Sequence, residues 1–168
     1  MHLPKGIVFV IALIAAVGSG AMGGLFFVFS NFMMKTLAQQ PPESGMRTMQ
    51  GINVNILNPL FLSVFLGTAA ASAVLVVAAL LRLSSPEAPW LLAGGALYLV
   101  GAFGVTAIFN VPLNNRLAAQ DPGTAEAARY WLVYVAEWLK WNHVRTITSL
   151  LAAASVVLAL HKARLPIE

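Results

Sequence analysis

The 168-residue sequence predicts an all-α integral membrane protein: a four-helix bundle with extra interfacial helices in the two loops on one side. Three observations carry that expectation. Hydrophobic residues make up 59% of the chain and charged residues 10%, less than half the charge of an ordinary soluble domain. The apolar residues gather in four runs, each long enough to cross a hydrocarbon layer of about 30 Å. Proline and glycine fall where such helices would start, stop or pack. So little chain is left outside the runs that residues 1–168 are expected to form one domain.

The first run, Ile7 to Met34, follows Lys5 and contains a small-residue stretch, Gly18-Ser19-Gly20-Ala21, of the kind found at signal-peptide cleavage sites. Its apolar character continues through Phe26, Phe27, Val28 and Phe29, past the end of a signal h-region, so an uncleaved spanning helix is expected. The second run, Leu60 to Leu81, is preceded by Asn58-Pro59, an N-cap side chain followed by proline at the first helical position, and is closed by Arg82. The third, Trp90 to Val111, starts at Pro89 and reaches Pro112, whose missing amide and ring clash end a helix or kink it. The fourth has its apolar centre from Val144 to Leu160, followed by His161, Lys162 and Arg164. Neither glycine nor proline occurs from Thr124 to Leu165. The amphipathic stretch Arg129 to Lys140 and the fourth span can therefore be one helix about 60 Å long at roughly 1.5 Å per residue.

Four spans put both termini on one side, A, and leave Lys35 to Pro59 and Pro112 to Asn142 on the other, B. Lys5, Arg82, Lys162 and Arg164 lie in short flanks on side A, whereas six basic residues are diluted over the longer side B connections. The positive-inside rule favours side A, and with it both termini, as cytoplasmic; if the source is prokaryotic, the membrane is the bacterial inner membrane. The net charge of +4 comes from residues scattered singly between apolar runs. It therefore reads as membrane flanks and not as a nucleic-acid surface. The chain has no cysteine, which excludes disulfides, thiolate metal sites and cysteine nucleophiles. The small residues Gly18, Gly20, Ala21, Gly23, Gly24, Gly94, Gly95, Gly101 and Gly104 suit close helix contact in lipid. The partner this composition implies is the lipid bilayer, with a hydrophobic small molecule as the further partner expected and homo-oligomerisation left open.

All eight asparagines, Asn31, Asn53, Asn55, Asn58, Asn110, Asn114, Asn115 and Asn142, fall at side B helix ends or in side B loops. Capping and turn preferences explain each one singly but not the asymmetry, because side A has helix ends too. On a continuous last helix, Tyr130, Trp131, Tyr134, Trp138 and Trp141 share about a third of the circumference, and Asn142, Arg145 and Ser149 continue the stripe inward. One reading of the aromatics is an interfacial belt at headgroup level; the other is a wall leading to Arg145. Arg145 itself either snorkels outward or pairs inside the bundle. His143 is a candidate general base with an ordinary pKa of about 6.5, but it falls nearly opposite Arg145 unless the helix bends near Trp141 and Asn142. No Glu-x-x-His pair, serine triad or phosphate loop is present, and no metal site is expected.

The run Asn110-Val111-Pro112-Leu113-Asn114-Asn115, then Trp131, Trp138 and Trp141-Asn142-His143-Val144-Arg145-Thr146, together with a Gly- and Phe-rich first helix ending in Ser30-Asn31, resembles the anthrone-oxygenase-like family of small membrane proteins. The resemblance covers essentially the whole chain. It implies a four-helix membrane fold and, for some members, oxidation of anthrones to anthraquinones by molecular oxygen as co-substrate, with no cofactor. On that reading His143 takes a proton while Arg145, Asn110 and Asn142 stabilise the oxyanion, and Trp138, Trp141, Tyr134, Asn31, Asn58 and Asn114 line the substrate site. A non-catalytic membrane protein binding a hydrophobic ligand or partner, and a metal or haem redox protein, stay open as alternatives.

Overall fold

A computed structural model describes residues 5–163, and the described chain is helical with short connections. Four helices are long and apolar enough to cross a membrane: α1 (Gly6–Ala38), α3 (Pro59–Leu80), α4 (Ala88–Ala118) and α5 (Ala125–Lys162). The short α2 (Pro42–Asn55) lies between the first two of these. Arg164 and the Lys5 side chain, which bear on the orientation expected from charge, lie outside the described residues.

The helices close a ring in the order α1, α3, α4, α5, and each runs antiparallel to its neighbours. On α1 and α5, Ala15 and Val156 meet in one core cluster while Phe26 and Asn142 meet nearer the other end. On α3 and α4, Ala79 packs with Leu91, whereas the Tyr98 hydroxyl donates to the Phe65 carbonyl at 3.1 Å. Hydrophobic burial alone cannot drive helices together in lipid, so small residues that admit close approach are required. Ala12, Ala15, Ala71, Ala79, Ala88 and Ala159 fill the side A core. At Gly95 a Cβ would stand 2.8 Å from the Ser72 carbonyl oxygen and 2.6 Å from Val76 Cγ2, so α3 and α4 are in backbone contact there.

Three segments widen from α-helix to π-helix: Phe29–Met33 in α1, and Leu97–Gly104 and Thr106–Asn110 in α4. In the first, the Met34 amide bonds to the Phe29 carbonyl; in the third, the Val111 amide bonds to the Thr106 carbonyl, five residues back in each case. Proline explains the third. Pro112 has no amide to give to the carbonyl four residues earlier and its ring crowds that carbonyl, so the preceding turn opens. The helix is not ended there and runs on to Ala118. The helical structure expected in the second side B loop thus takes the form of extensions of α4 and α5. Only residues 119–124 connect them, and Thr124 Oγ1 caps α5 by accepting from the Ala127 amide at 3.1 Å.

α5 is unbroken over 38 residues, about 57 Å, which is longer than a bilayer is thick. Its first half projects past the bundle and is roofed by α2 and the ends of α1 and α4. Met34, Leu37, Met46, Met49, Leu117, Ala127, Trp131, Tyr134 and Trp138 form one core there. One acceptor ties this roof to the bundle: Asn114 Oδ1 takes hydrogen bonds from the Tyr134 hydroxyl and from Trp138 Nε1, both at 2.9 Å.

Two stability predictions follow from this packing. Gly95→Val should lower the unfolding midpoint in detergent, read by loss of helical circular dichroism, by the equivalent of about 1–3 kcal/mol of overpacking. Gly24→Ala, where nothing lies within 4 Å of the new carbon, should leave the midpoint in place. Asn114→Leu strands two buried donors at once and should cost about 1–3 kcal/mol for each. A midpoint equal to wild type would mean that the roof is not held through Asn114.

Candidate functional site

The site is built where α1, α4 and α5 meet at the side B end of the bundle. Arg145 on α5 is 5% exposed and turns inward. Its Nη2 donates to Asn142 Oδ1 at 2.7 Å, one turn earlier, and its Nη1 to Thr106 Oγ1 on α4 at 3.3 Å. Two rings lie against the guanidinium, Phe26 of α1 at 4.4 Å and Trp138 at 5.0 Å from Cζ to ring centroid. Arg145 therefore does not snorkel.

Asn142, 0% exposed, holds the guanidinium in place. With its oxygen given to Arg145, its amide nitrogen donates to the Phe26 carbonyl and to Ser30 Oγ, both at 2.8 Å. Ser30 Oγ and Thr146 Oγ1 share a further hydrogen bond of 2.9 Å, closing a polar seam between α1 and α5. Across the bundle, Asn110 donates from Nδ2 to the Trp138 carbonyl at 3.2 Å. The π-helical turns hold three of these groups. Ser30 lies in the widened segment of α1, and Thr106 and Asn110 open and close the one before Pro112. Single-turn widenings of this kind recur at functional sites.

The cluster's electrostatics are unbalanced. Among the described residues the ion pairs are Arg47 with Glu43 and Lys140 with Glu137, both exposed, and no carboxylate reaches Arg145. Three buried polar atoms of the same region have no partner: Arg145 Nε, Asn110 Oδ1 and, one turn deeper on α5, Ser149 Oγ. A buried cation with an unused donor, in a cluster that also holds an unused amide oxygen, suits a ligand that brings a negatively charged oxygen and a hydroxyl. Among the described residues no group of three His, Cys, Asp or Glu is placed to hold a metal ion.

Of the residues that the sequence singles out, Arg145, Asn142, Asn110 and Trp138 come together, and Tyr134 and Asn114 stand just above as part of the roof. Trp131, Tyr134 and Trp138 are buried against α1, α2 and α4 and do not face outward as a lipid-anchoring belt would, so the belt reading does not hold for them. Trp141 turns away from Arg145, is half-buried, and stacks on Phe109 with centroids 3.6 Å apart. Asn31, the residue after Ser30, is exposed on another face of α1, and Asn58 is exposed and committed to capping α3 through the Phe61 amide. His143 is exposed on the far face of α5. Reaching Arg145 required a bend at Trp141 and Asn142, and the helix has none. The Phe26 ring and the Ser30–Thr146 pair were not foreseen. Their signal is the stripe Ala12, Ala15, Ser19, Met22, Phe26, Ser30, which marks one face of α1.

No curated protein and no solved structure matches the chain. The family model described as anthrone oxygenase matches residues 61–155, from the start of α3 to the last third of α5, and so includes Thr106, Asn110, Trp138, Asn142 and Arg145. That match spans more than half of the sequence, and the chain belongs to the anthrone oxygenase family.

Proposed function

We propose that this protein is a membrane oxygenase that needs neither metal nor organic cofactor, acts on planar hydrophobic aromatics of the anthrone type drawn from the bilayer, and uses molecular oxygen as co-substrate. The observation that carries this reading is the buried, carboxylate-free Arg145 guanidinium between two ring faces, in a chain of the anthrone oxygenase family.

The chemistry asks little of the protein beyond charge stabilisation. Loss of a proton from the methylene carbon of an anthrone gives an enolate whose negative charge rests largely on oxygen. That anion passes one electron to O2, and the resulting radical pair joins at carbon as a peroxide. The peroxide takes up a proton, and loss of the second C–H proton with breakage of the O–O bond leaves a carbonyl and water. The net change is CH2 plus O2 to C=O plus H2O, so no outside reductant is consumed. Arg145 would hold the enolate oxygen through its unused Nε–H, with the second N–H of Asn110 Nδ2 as a further donor, while Asn142, its own N–H groups committed to α1, fixes the guanidinium in place. Preorganised donors in a dry site are effective in that role. Trp138 and Phe26 would extend their faces along the flat ring system. His143, Trp141, Asn31 and Asn58 have no part in this arrangement.

We place both termini in the cytoplasm because Arg82 and Lys162 lie in short flanks at the end opposite the site. A reporter fused after residue 168 that is active only outside the cytoplasm should then stay silent, and a signal from it would reverse the assignment. For activity, the purified protein in lipid nanodiscs should consume oxygen and anthrone one to one, above the protein-free rate, with the quinone appearing in the absorbance spectrum. Arg145→Met should lower kcat/KM by about a hundredfold or more. Arg145→Lys should recover only part of this, since an ammonium lacks the planar fork. His143→Gln should stay within about twofold of wild type on the ordinary scale for surface changes. Oxygen uptake no faster than the protein-free control, or an Arg145→Met protein that folds and keeps full activity, would exclude the oxygenase reading.

A further inference from the structure

Resting on the reading of the Arg145 cluster as the ligand site, we infer that it takes its ligand already ionised: it selects the conjugate base of a planar enol or phenol and supplies no side-chain base of its own. The helices packed around the site leave few titratable groups. Between Gly6 and Ala38, α1 carries only Lys35, exposed at the side B end. The stretch Pro59–Leu80 of α3 has none. On α4 the groups are Tyr98, whose hydroxyl is given to the Phe65 carbonyl, and Arg116 beyond Pro112, exposed. On α2, Glu43 and Arg47 pair with each other at the surface.

α5 itself carries the rest. Glu137 and Lys140 are exposed and paired, His143 is exposed on the opposite face, and Glu126 and Arg129 are exposed near its start. Tyr130 lies in the roof, and the Tyr134 hydroxyl is given to Asn114 Oδ1. His161 and Lys162 are at the other end of the helix. Among the described residues, then, no carboxylate or imidazole faces Arg145; around it stand Asn142, Thr106, Phe26 and Trp138, none of which titrates, and the Tyr134 phenol, whose proton is committed to Asn114 Oδ1.

A general base must come within hydrogen-bond reach of the proton it removes, directly or through one water. None of the described carboxylates or imidazoles is so placed, whereas a cation without a counter-ion is. A neutral acid entering the site would leave the guanidinium buried and uncompensated and would have no group to receive its proton. The anion satisfies the charge on arrival, and the proton is left in the aqueous or headgroup layer. The Phe26 and Trp138 rings against Arg145 favour a delocalised anion over a compact one such as acetate, because a flat π-system can pack on those aromatic faces. The substrate class is therefore narrowed to aromatics acidic enough to be ionised to a useful extent before they bind.

The test measures binding without turnover, by quenching of tryptophan fluorescence in nanodiscs under nitrogen. The probes are 2-naphthol, naphthols made more acidic by nitro substitution, and the methyl ether of 2-naphthol. For each naphthol the apparent Kd should fall about tenfold per pH unit up to that ligand's own pKa and level off above it, so the break moves with the ligand. The methyl ether, which cannot ionise, should show no break and should bind at least about tenfold more weakly than 2-naphthol does above the naphthol's pKa. A break at one fixed pH for all ligands would assign the ionisation to the protein, and an ether that binds as tightly as the naphtholate would remove the charge requirement. Either result overturns the inference, as does a series in which no naphtholate binds above its pKa. Arg145→Lys keeps the charge and should keep the moving break at weaker affinity. Oxygenase activity is not read here, so a protein that binds anions without oxidising anthrone would fail the proposed function and leave this inference standing.

Discussion

A guanidinium inside an apolar bundle has to be solvated by protein, and the side B half of this molecule is organised around that demand. Placing a charged side chain at the middle of a spanning helix costs about 2.5–3.5 kcal/mol on insertion scales. Arg145 meets it with the Asn142 oxygen, the Thr106 hydroxyl and two rings, a contact of this kind being worth about 2 kcal/mol or more when water is excluded. These contacts hold the cation in place without neutralising it. Asn142 is the hinge of the arrangement, since the same amide that fixes Arg145 reaches across to the backbone and hydroxyl of α1. Loosening Asn142 would release both the guanidinium and the α1–α5 seam.

Such a cluster needs space that regular α-helices packed through small residues do not provide. The side A half is the regular case, where alanine contacts bring the helices together around a dry core. Toward side B the helices widen into π-turns on α1 and α4, on two sides of Arg145, and these turns carry Ser30, Thr106 and Asn110. Pro112 supplies the cause on α4. The fold thus puts stability in one half of the bundle and polar chemistry in the other.

Above the cluster, the roof of methionine, tyrosine and tryptophan packs over the side B end of the bundle, and Arg145 beneath it is only 5% exposed. Water exclusion strengthens every charge interaction beneath it. Asn114 ties this roof to the two aromatic donors on α5, so the first half of the long helix serves the site although it lies beyond the span. Methionine is well suited to such a cover because its flexible side chain fills irregular space.

The sequence by itself determined the membrane class, the number of spans, the single continuous last helix and the stripe that carries Trp138, Asn142 and Arg145 inward, and its motifs pointed to the family. Each of these is local: run length, proline position, helical periodicity and residues close together in the chain are properties of a segment. The tertiary structure decided the rest. Which face of α1 opposes α5 fixed Phe26 and Ser30 as partners of Arg145 and Asn142, a choice made by helices more than a hundred residues apart in the chain. The unbroken axis of α5 sent His143 outward, although it is only two residues from Arg145. Pro112 could be read as a stop or a kink; packing of α4 against α5 and the roof carried the helix through it as a widened turn. Whether an asparagine caps, turns or binds depends on what lies across from it, and for that reason Asn58, Asn114 and Asn142, alike in sequence, do three different things.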